Sequence, residues 1–262
     1  MNKLSVAIPT YYSSKFIEDT ITPFLKHKIV DEIIITDDSE DNSDFNILTN
    51  KVHNVVENSS IRVRLVKNKK KLGGFKNKYY AISETNNEFV YQIDSDNIAN
   101  NKFLKFIAKT DEHVFDKETL YLPSKIYLFK DSKYESLYKP SSKVIFSKKS
   151  KIITPDYLRN ALIEGINFVK HKNVNWFLNI GNPFFYKDSY LTNLEKGLAI
   201  SEKELSACSI ALCYFWGSSG NNICMSSFLN HYHRQHKDSY WITAGQNAPN
   251  SVEYFRNLIK NL

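Results

Sequence analysis

Four short apolar runs fill the first hundred residues, and each stops in polar or acidic residues before a helix-length stretch. Leu4-Ser5-Val6-Ala7-Ile8 runs into Pro9, and Ile33-Ile34-Ile35 stops at Thr36-Asp37-Asp38-Ser39. Ile61-Arg62-Val63-Arg64-Leu65-Val66 alternates as a strand, and Phe89-Val90-Tyr91-Gln92-Ile93 ends at Asp94-Ser95-Asp96. Between them, residues 13–28 carry helical spacing at Phe16, Ile17, Ile21, Phe24 and Leu25, residues 44–57 form a polar helix, and Gly73-Gly74 opens a helix to about Glu84. Such a βαβαβαβ series demands a mostly parallel sheet flanked by helices. In open sheets of this kind the ligand sits beyond the carboxyl ends of the strands. Four features therefore share one rim: Pro9-Thr10-Tyr11-Tyr12, Asp37-Asp38-Ser39, the 69–74 loop and Asp94-Ser95-Asp96.

Residues 101–262 are less regular. Helices are expected over 102–113, 154–170, 202–216 and 221–232, with short strands at 119–122, 126–129 and 144–146. Gly181-Asn182-Pro183 reads as a turn before the apolar Phe184-Phe185-Tyr186. With no repeat and no linker, the chain is expected to form one compact domain in two halves, 1–100 and 101–262. Its 262 residues, 42% hydrophobic, suffice for a substantial core and exclude a disordered chain. No stretch approaches the roughly 18 apolar residues that span a bilayer. Met1-Asn2-Lys3 leads directly into a strand-like run, so a soluble, cytoplasmic protein is expected. Cys208, Cys213 and Cys224 lack metal-ligand spacing and basic neighbours, and read as reduced structural thiols.

The net charge is +7, but its distribution is more telling. Residues 62–78 hold eight bases and no acid, whereas 31–44 hold seven acids and no base. An acidic and a basic segment close together suit a site for a metal and a phosphate better than a nucleic-acid surface. Asp94 and Asp96, at i and i+2 past a strand, can share a hard divalent cation. Asp37 and Asp38 end the second strand, where a carboxylate can accept N–H from a base edge and cannot serve a phosphate. Gly73-Gly74, behind Lys69-Lys70-Lys71, opens a helix N-terminus that favours negative charge. The loop lacks the spacing of a Walker loop or a GxGxxG fingerprint.

Val6-Ala7-Ile8-Pro9-Thr10-Tyr11-Tyr12, Ile35-Thr36-Asp37-Asp38-Ser39, Gly73-Gly74 with Asn77, and Asp94-Ser95-Asp96, in this order, resemble the family 2 glycosyltransferases of the GT-A fold. The likeness is close over roughly the first hundred residues. Two departures stand out: Asp37-Asp38-Ser39-Glu40 replaces Asp-Asp-Gly-Ser, and Phe75-Lys76-Asn77-Lys78-Tyr79 replaces Ala-Arg-Asn-x-Gly. The resemblance implies a single α/β GT-A (Rossmann-like) domain. It implies that Pro9, Thr10, Tyr12 and Asp37 or Asp38 hold a uridine-type nucleoside. Lys71, Gly74, Asn77 and Ser95 join this nucleotide-binding set. By the same resemblance Asp94 faces the ribose or sugar, and Asp96 binds Mn²⁺ or Mg²⁺, the metal shell being completed by His233 or His236. Arg234 and Lys237 are candidates for the diphosphate.

Such enzymes place a catalytic carboxylate about a hundred residues past the metal motif, often as Glu-Asp-x-x-Leu. Ser201-Glu202-Lys203-Glu204-Leu205 makes Glu202 the candidate base, Glu204 the fallback and Asp188 a weaker third. Trp176 and Trp216 are acceptor-platform candidates, and Ser239-Tyr240-Trp241 is a candidate cap. The implied activity is inverting, metal-dependent transfer of a sugar, UDP-linked by resemblance, to a hydroxyl of a glycan, protein or lipid-linked acceptor. The rivals are a sugar-nucleotide-synthesising nucleotidyltransferase, which would carry glycines after the first strand, and a basic nucleic-acid-binding domain. Oligomeric state stays open.

Overall fold

The structure, a computed structural model, describes residues 3–130, 143–145, 151–156, 181–236 and 248–260. Strand β1 (Leu4–Thr10) is buried along its whole length. It runs parallel between β2 (Val30–Asp37) and β4 (Phe89–Gln92), and β3 (Arg62–Lys67) adds in parallel to β2. Register aligns their carboxyl ends: Thr10 pairs with Asp37, and Asp37 with Lys67. Helices α1 (Ile17–Ile21), α2 (Ser43–Val56) and α3 (Gly74–Ser83) make the crossovers. The expected helix over 13–28 is broken into α1 and two 3₁₀ turns, Ser14–Phe16 and Phe24–Lys26. Pro23, between α1 and the second turn, brings no N–H to continue the ladder.

The second half extends the same sheet. After β5 (Ile98–Ala99) and α4 (Asn101–Lys109) come β6 (Thr119–Lys130), β7 (Lys143–Ile145), β8 (Lys151–Ile153) and β9 (Phe184–Tyr186). Then follow α5 (Lys187–Leu194), α6 (Cys208–Ser218), β10 (Asn222–Gln235) and α7 (Ala248–Lys260). The order is β3-β2-β1-β4-β9-β6-β10-β5, with β7 on β6 and β8 on β10. On that path only β9 and β5 run against the other strands, so the sheet is mostly parallel.

Each face of the sheet is covered by helices. One core packs Phe75, Ala81 and Ile82 of α3 with Tyr190 and Leu194 of α5, residues 210–216 of α6 and Phe255 of α7. The other packs Ile17 and Ile21 of α1 with Leu48 and Val52 of α2 and Phe103, Leu104 and Ile107 of α4. Helix α6 is apolar all round, as an enclosed helix must be. Burial pushes the Cys213 thiol in it up to about 12 and the Cys224 thiol up to about 11, as inert structural thiols require.

Two expected elements are corrected. Residues 221–232 are not a helix but most of β10, whose backbone is satisfied by β6, β5 and β8. Parity along β10 puts His231 and His233 on one side, their ring centroids 5.9 Å apart. The helix expected from 202 begins only at Cys208, after a series of turns. The helix expected over 154–170 starts at residues 155–156 and its remainder lies outside the described residues.

Candidate active site

The rim is first of all a self-supporting polar lattice. Asp37 is fully buried. Its Oδ1 accepts from the hydroxyls of Thr10 at 2.9 Å and Ser39 at 2.8 Å, and its Oδ2 pairs with Lys67 at 2.7 Å. Asp38 reaches across to the glycine loop. It accepts from the main-chain N–H of Leu72 at 2.7 Å and Gly73 at 2.8 Å, and from Asn68 Nδ2 at 2.9 Å. Asn77 donates to the carbonyls of Thr10 at 3.2 Å and Thr36 at 3.3 Å, tying α3 to β1 and β2. Ser95 is likewise turned inward, its hydroxyl 2.6 Å from that of Ser13. Asp37, Asn77 and Ser95, expected to touch nucleotide, are thus buried braces; their polar groups hold the strands and loops that carry the rim.

What these braces present is Tyr12 and the glycine loop. Tyr12 has φ 46, a left-handed conformation rare for a bulky residue, and its N–H donates to Ser39 Oγ at 2.8 Å. The ring is 41% exposed and meets Tyr11 edge-on at 4.8 Å. Lys71 lies over the Tyr11 ring and pairs with Glu40 at 3.0 Å. Pro9 lies in β1 beside Thr36 of β2 and leads into this turn. Gly73 has φ 83, which its lack of a side chain permits, and Gly74 begins α3 with no side-chain cap on the helix.

The basic segment is largely consumed by local acids. Arg62 pairs with Asp31 at 2.5 Å, Arg64 with Glu84 at 2.8 Å, Lys67 with Asp37, Lys71 with Glu40 and Lys78 with Asp94. Five of the eight bases in 62–78 therefore face carboxylates, which removes the continuous positive surface a nucleic-acid binder would need.

Beyond β4 the two carboxylates of Asp94-Ser95-Asp96 part company. Asp94 Oδ1 meets Lys78 Nζ at 2.8 Å. Burial would push its carboxyl up, but the ammonium of Lys78 outweighs this and holds it below the usual carboxylate range. Asp96 Oδ2 lies 3.0 Å from His236 Nε2. His236 packs on Phe16 at 4.6 Å, and its Nδ1 is buried without a partner. His236 is the histidine hydrogen-bonded to Asp96. The ring of His233 lies 5.9 Å from that of His231. Burial pushes the His233 imidazole below the usual range, against the opposing pull of the nearby Asp96 and Asp94 carboxylates. Arg234 is 4% exposed and braces the same loop: its Nε donates to the Asp96 carbonyl at 3.1 Å and it pairs with Asp19 at 2.7 Å. Lys237, the other diphosphate candidate, lies outside the described residues.

The pair of Asp96 and His236 fits a metal site completed by substrate. Cis ligands about 2.1 Å from one octahedral ion lie about 3 Å apart, the spacing found here. Among the described residues no group of three or more His, Cys, Asp or Glu side chains could hold a metal. Such an ion would therefore take the rest of its shell from phosphate oxygens and water, a habit of Mg²⁺ and similar cations.

Of the candidate bases, Glu202 is exposed and lies on the glycine loop; a Cβ at Gly73 would come within 2.7 Å of its carboxyl carbon and 3.0 Å of Oε1. A shallow concavity is lined by Leu72, Gly73, Gly74, Phe75, Lys76, Glu202 and Leu205. Glu204 turns away: Oε2 accepts from the Ser201 hydroxyl at 2.7 Å, and its carbonyl accepts from Ser251 of α7 at 2.6 Å. Asp188 begins α5 after β9, which runs antiparallel to β4, so it sits by the opposite edge from Asp94. Trp216 is fully buried and donates to the Asn222 carbonyl at 2.9 Å, a core residue and not an acceptor platform. Trp176 and Ser239-Tyr240-Trp241 lie outside the described residues. Sequence reasoning passed over Lys78 as a functional residue, and over Gln92 and Asn182, which also bond to Asp94. Only the Gly-Asn-Pro turn gave a local signal for any of them.

A mostly parallel sheet with an acidic strand-end motif and a mixed second half defines a GT-A-type α/β domain. Residues 5–120 match the family described as Glycosyl transferase family 2. Among curated proteins none matches the chain by sequence. Among solved structures the chain is similar to S. aureus TarS 1-349 in complex with UDP-GlcNAc, with a TM-score of 0.56 and 19% identity over 91% of this chain and 60% of that one. It is similar also to TarS 1-349 in complex with UDP, with a TM-score of 0.56 and 18% identity over 99% of this chain and 71% of that one. Against a longer TarS structure the TM-score is 0.55 at 21% identity, over 91% of this chain and 38% of that one. The chain spans 60% of the length of the first of these. No helix among the described residues is long and apolar enough to cross a membrane.

Proposed function

We propose that this chain is an inverting glycosyltransferase that moves a sugar from a nucleotide sugar, UDP-linked by preference, to an acceptor hydroxyl with the help of Mn²⁺ or Mg²⁺. The observation that carries the reading is the Asp96–His236 pair, 3.0 Å apart at the carboxyl end of β4 and two residues from the Asp94–Lys78 ion pair. Similar structures hold UDP and UDP-GlcNAc, which favours a uridine nucleotide.

In this reading Tyr12 and the loop held by Asp38 flank the nucleoside. Asp94 faces the sugar. Asp96 and His236 hold the metal, which when bound neutralises charge on the departing diphosphate. As the bond from the anomeric carbon to the diphosphate oxygen breaks, its electron pair leaves with the nucleoside diphosphate. The acceptor oxygen bonds to the anomeric carbon from the opposite face, and Glu202 takes its proton. Glu204 is the fallback base. The acceptor is a hydroxyl of a glycan, a protein side chain or a lipid-linked sugar.

The test is thermal melting with UDP, GDP and CDP, each with and without Mn²⁺. A ligand at 100 times its dissociation constant adds about 2.7 kcal/mol if it binds only the native state. A Mn²⁺-dependent rise with UDP is expected. No rise with any nucleotide would overturn the reading.

A further inference from the structure

Asp94 and Asp96 are near neighbours in sequence and keep opposite company. Asp96 faces an imidazole and Asp94 an ammonium. Asp94 Oδ1 accepts from Lys78 Nζ at 2.8 Å and from Gln92 Nε2 at 3.2 Å. The Asp94 N–H donates to Asn182 Oδ1 at 2.7 Å. Asn182 holds a left-handed φ of 73, and both it and Gln92 are fully buried. Oδ2 stands on the other side, against Gly181, where a Cβ would lie 2.7 Å from Oδ2 and 3.3 Å from Lys78 Nζ. The side chains of Lys78 and Asp94 themselves remain reachable, 15% and 29% exposed.

We propose that Lys78 is a positioning residue that makes Asp94 a reader of sugar hydroxyls instead of a second metal ligand. The proposal rests on the transferase reading above and deepens it. The physical basis is a sorting by charge. A cation added beside Asp94 would also lie beside the ammonium of Lys78, so like-charge repulsion offsets the attraction. A phosphate would meet the Asp94 carboxylate itself. A hydroxyl suits both groups: it donates to Oδ2 and accepts from an N–H of Lys78, which has three to give. Adjacent hydroxyls of a neutral sugar ring present this donor–acceptor pair repeatedly. Gln92 holds the carboxyl by Oδ1, Asn182 holds the main chain that carries it, and the bare α-carbon of Gly181 leaves Oδ2 its place.

The experiment is calorimetric titration of the full chain with Mn²⁺ present, using UDP, UDP-glucose and UDP-GlcNAc as probes. The readout is the ratio of the UDP dissociation constant to that of the better UDP-sugar. In the unaltered chain the ratio exceeds one. Lys78→Met lowers it about tenfold and leaves UDP binding within about twofold, since one charged hydrogen bond is lost at the sugar and none at the nucleotide. Lys78→Arg, which keeps a cation, loses less. Gly181→Ala gives a loss in the same direction by displacing Oδ2, and serves if Lys78→Met folds poorly. A ratio of one in the unaltered chain, a ratio unmoved in both variants, or equal losses for UDP and UDP-sugar would overturn the proposal while leaving the transferase reading intact. Failure of UDP to bind at all would overturn both.

Discussion

Glu202 rests directly on the α-carbon of Gly73, so the proposed base occupies space that exists only because residue 73 has no side chain. Gly73 is held from the other side by Asp38 at 2.8 Å, and its φ of 83 excludes a comfortable Cβ. Gly73→Ala is expected to cost about 1–3 kcal/mol in backbone strain, since φ 83 with ψ 164 is a region essentially confined to glycine, and to displace Glu202. Gly220 has the same φ of 83, but a Cβ there would meet nothing within 4 Å, so it serves as control. Denaturant melts should show a loss at both, the larger at Gly73, while transferase turnover falls only in Gly73→Ala.

If Glu202 takes the acceptor's proton, Glu202→Gln should lower kcat by about 10² to 10⁴ with little change in donor KM. Glu204→Gln should stay close to the unaltered chain, because its carboxylate serves the Ser201 turn. Steady-state kinetics on the two variants decides between them, and the reverse pattern would transfer the role to Glu204.

Asp96→Ala should abolish the Mn²⁺-dependent melting shift with UDP. His236→Ala should raise the Mn²⁺ concentration needed for half of that shift by about tenfold or more, as loss of a ligand or its support does. His233→Ala should change it less, since His236 hydrogen-bonds Asp96 while His233 reaches that carboxylate only through space. A larger effect at His233 would move the metal away from the 3.0 Å pair.

Asp38→Ala removes the acceptor for two main-chain N–H groups and one side-chain amide. Leaving such donors unsatisfied costs about 2–4 kcal/mol in all. Chemical denaturation measures it; a loss below about 0.5 kcal/mol would mean that water replaces the carboxylate freely.

Acid stability has an identifiable contributor. The ammonium of Lys3, with help from Arg62 and Asn87, holds the Asp31 carboxyl down at about 2, against 3.8 ordinarily. A pKa lowered in the folded state adds stability that is present above the unfolded value and lost as pH falls through the folded one. Lys3 and Arg62 are well exposed, so screening limits the gain to about 1 kcal/mol. Asp31→Asn should be less stable by that amount at pH 7, and the gap should close between about pH 4 and pH 2. A gap that persists at pH 2 would assign the effect to packing.

Much of the first hundred residues was legible because the signals there are local. The runs that became β1 to β4 are apolar and end in turn-forming or acidic residues, and Gly73-Gly74 punctuates the start of α3. The second half was harder. Residues 222–235 hold no glycine or proline to break the helix expected over 221–232, and they become a strand because β6, with β5 and β8, offers them backbone partners. Trp216 was open to two readings, core residue or sugar platform, and packing decides for the core, with the Asn222 carbonyl taking its N–H.

From local order alone, the sequence determined the parallel sheet, the rim at its carboxyl ends and the residues carried there. Period and turn chemistry act within a few residues of one another, so they can be read along a chain. Which acid faces which partner was decided only by the tertiary structure. Asp37 and Asp38 look alike in sequence, yet one closes on Lys67 and the other on the glycine loop. Asp94 and Asp96 look alike as well, yet one meets Lys78 and the other meets His236, 140 residues away. A carboxylate's role is set by the charges within a few ångströms of it, and strand register and helix packing choose those neighbours.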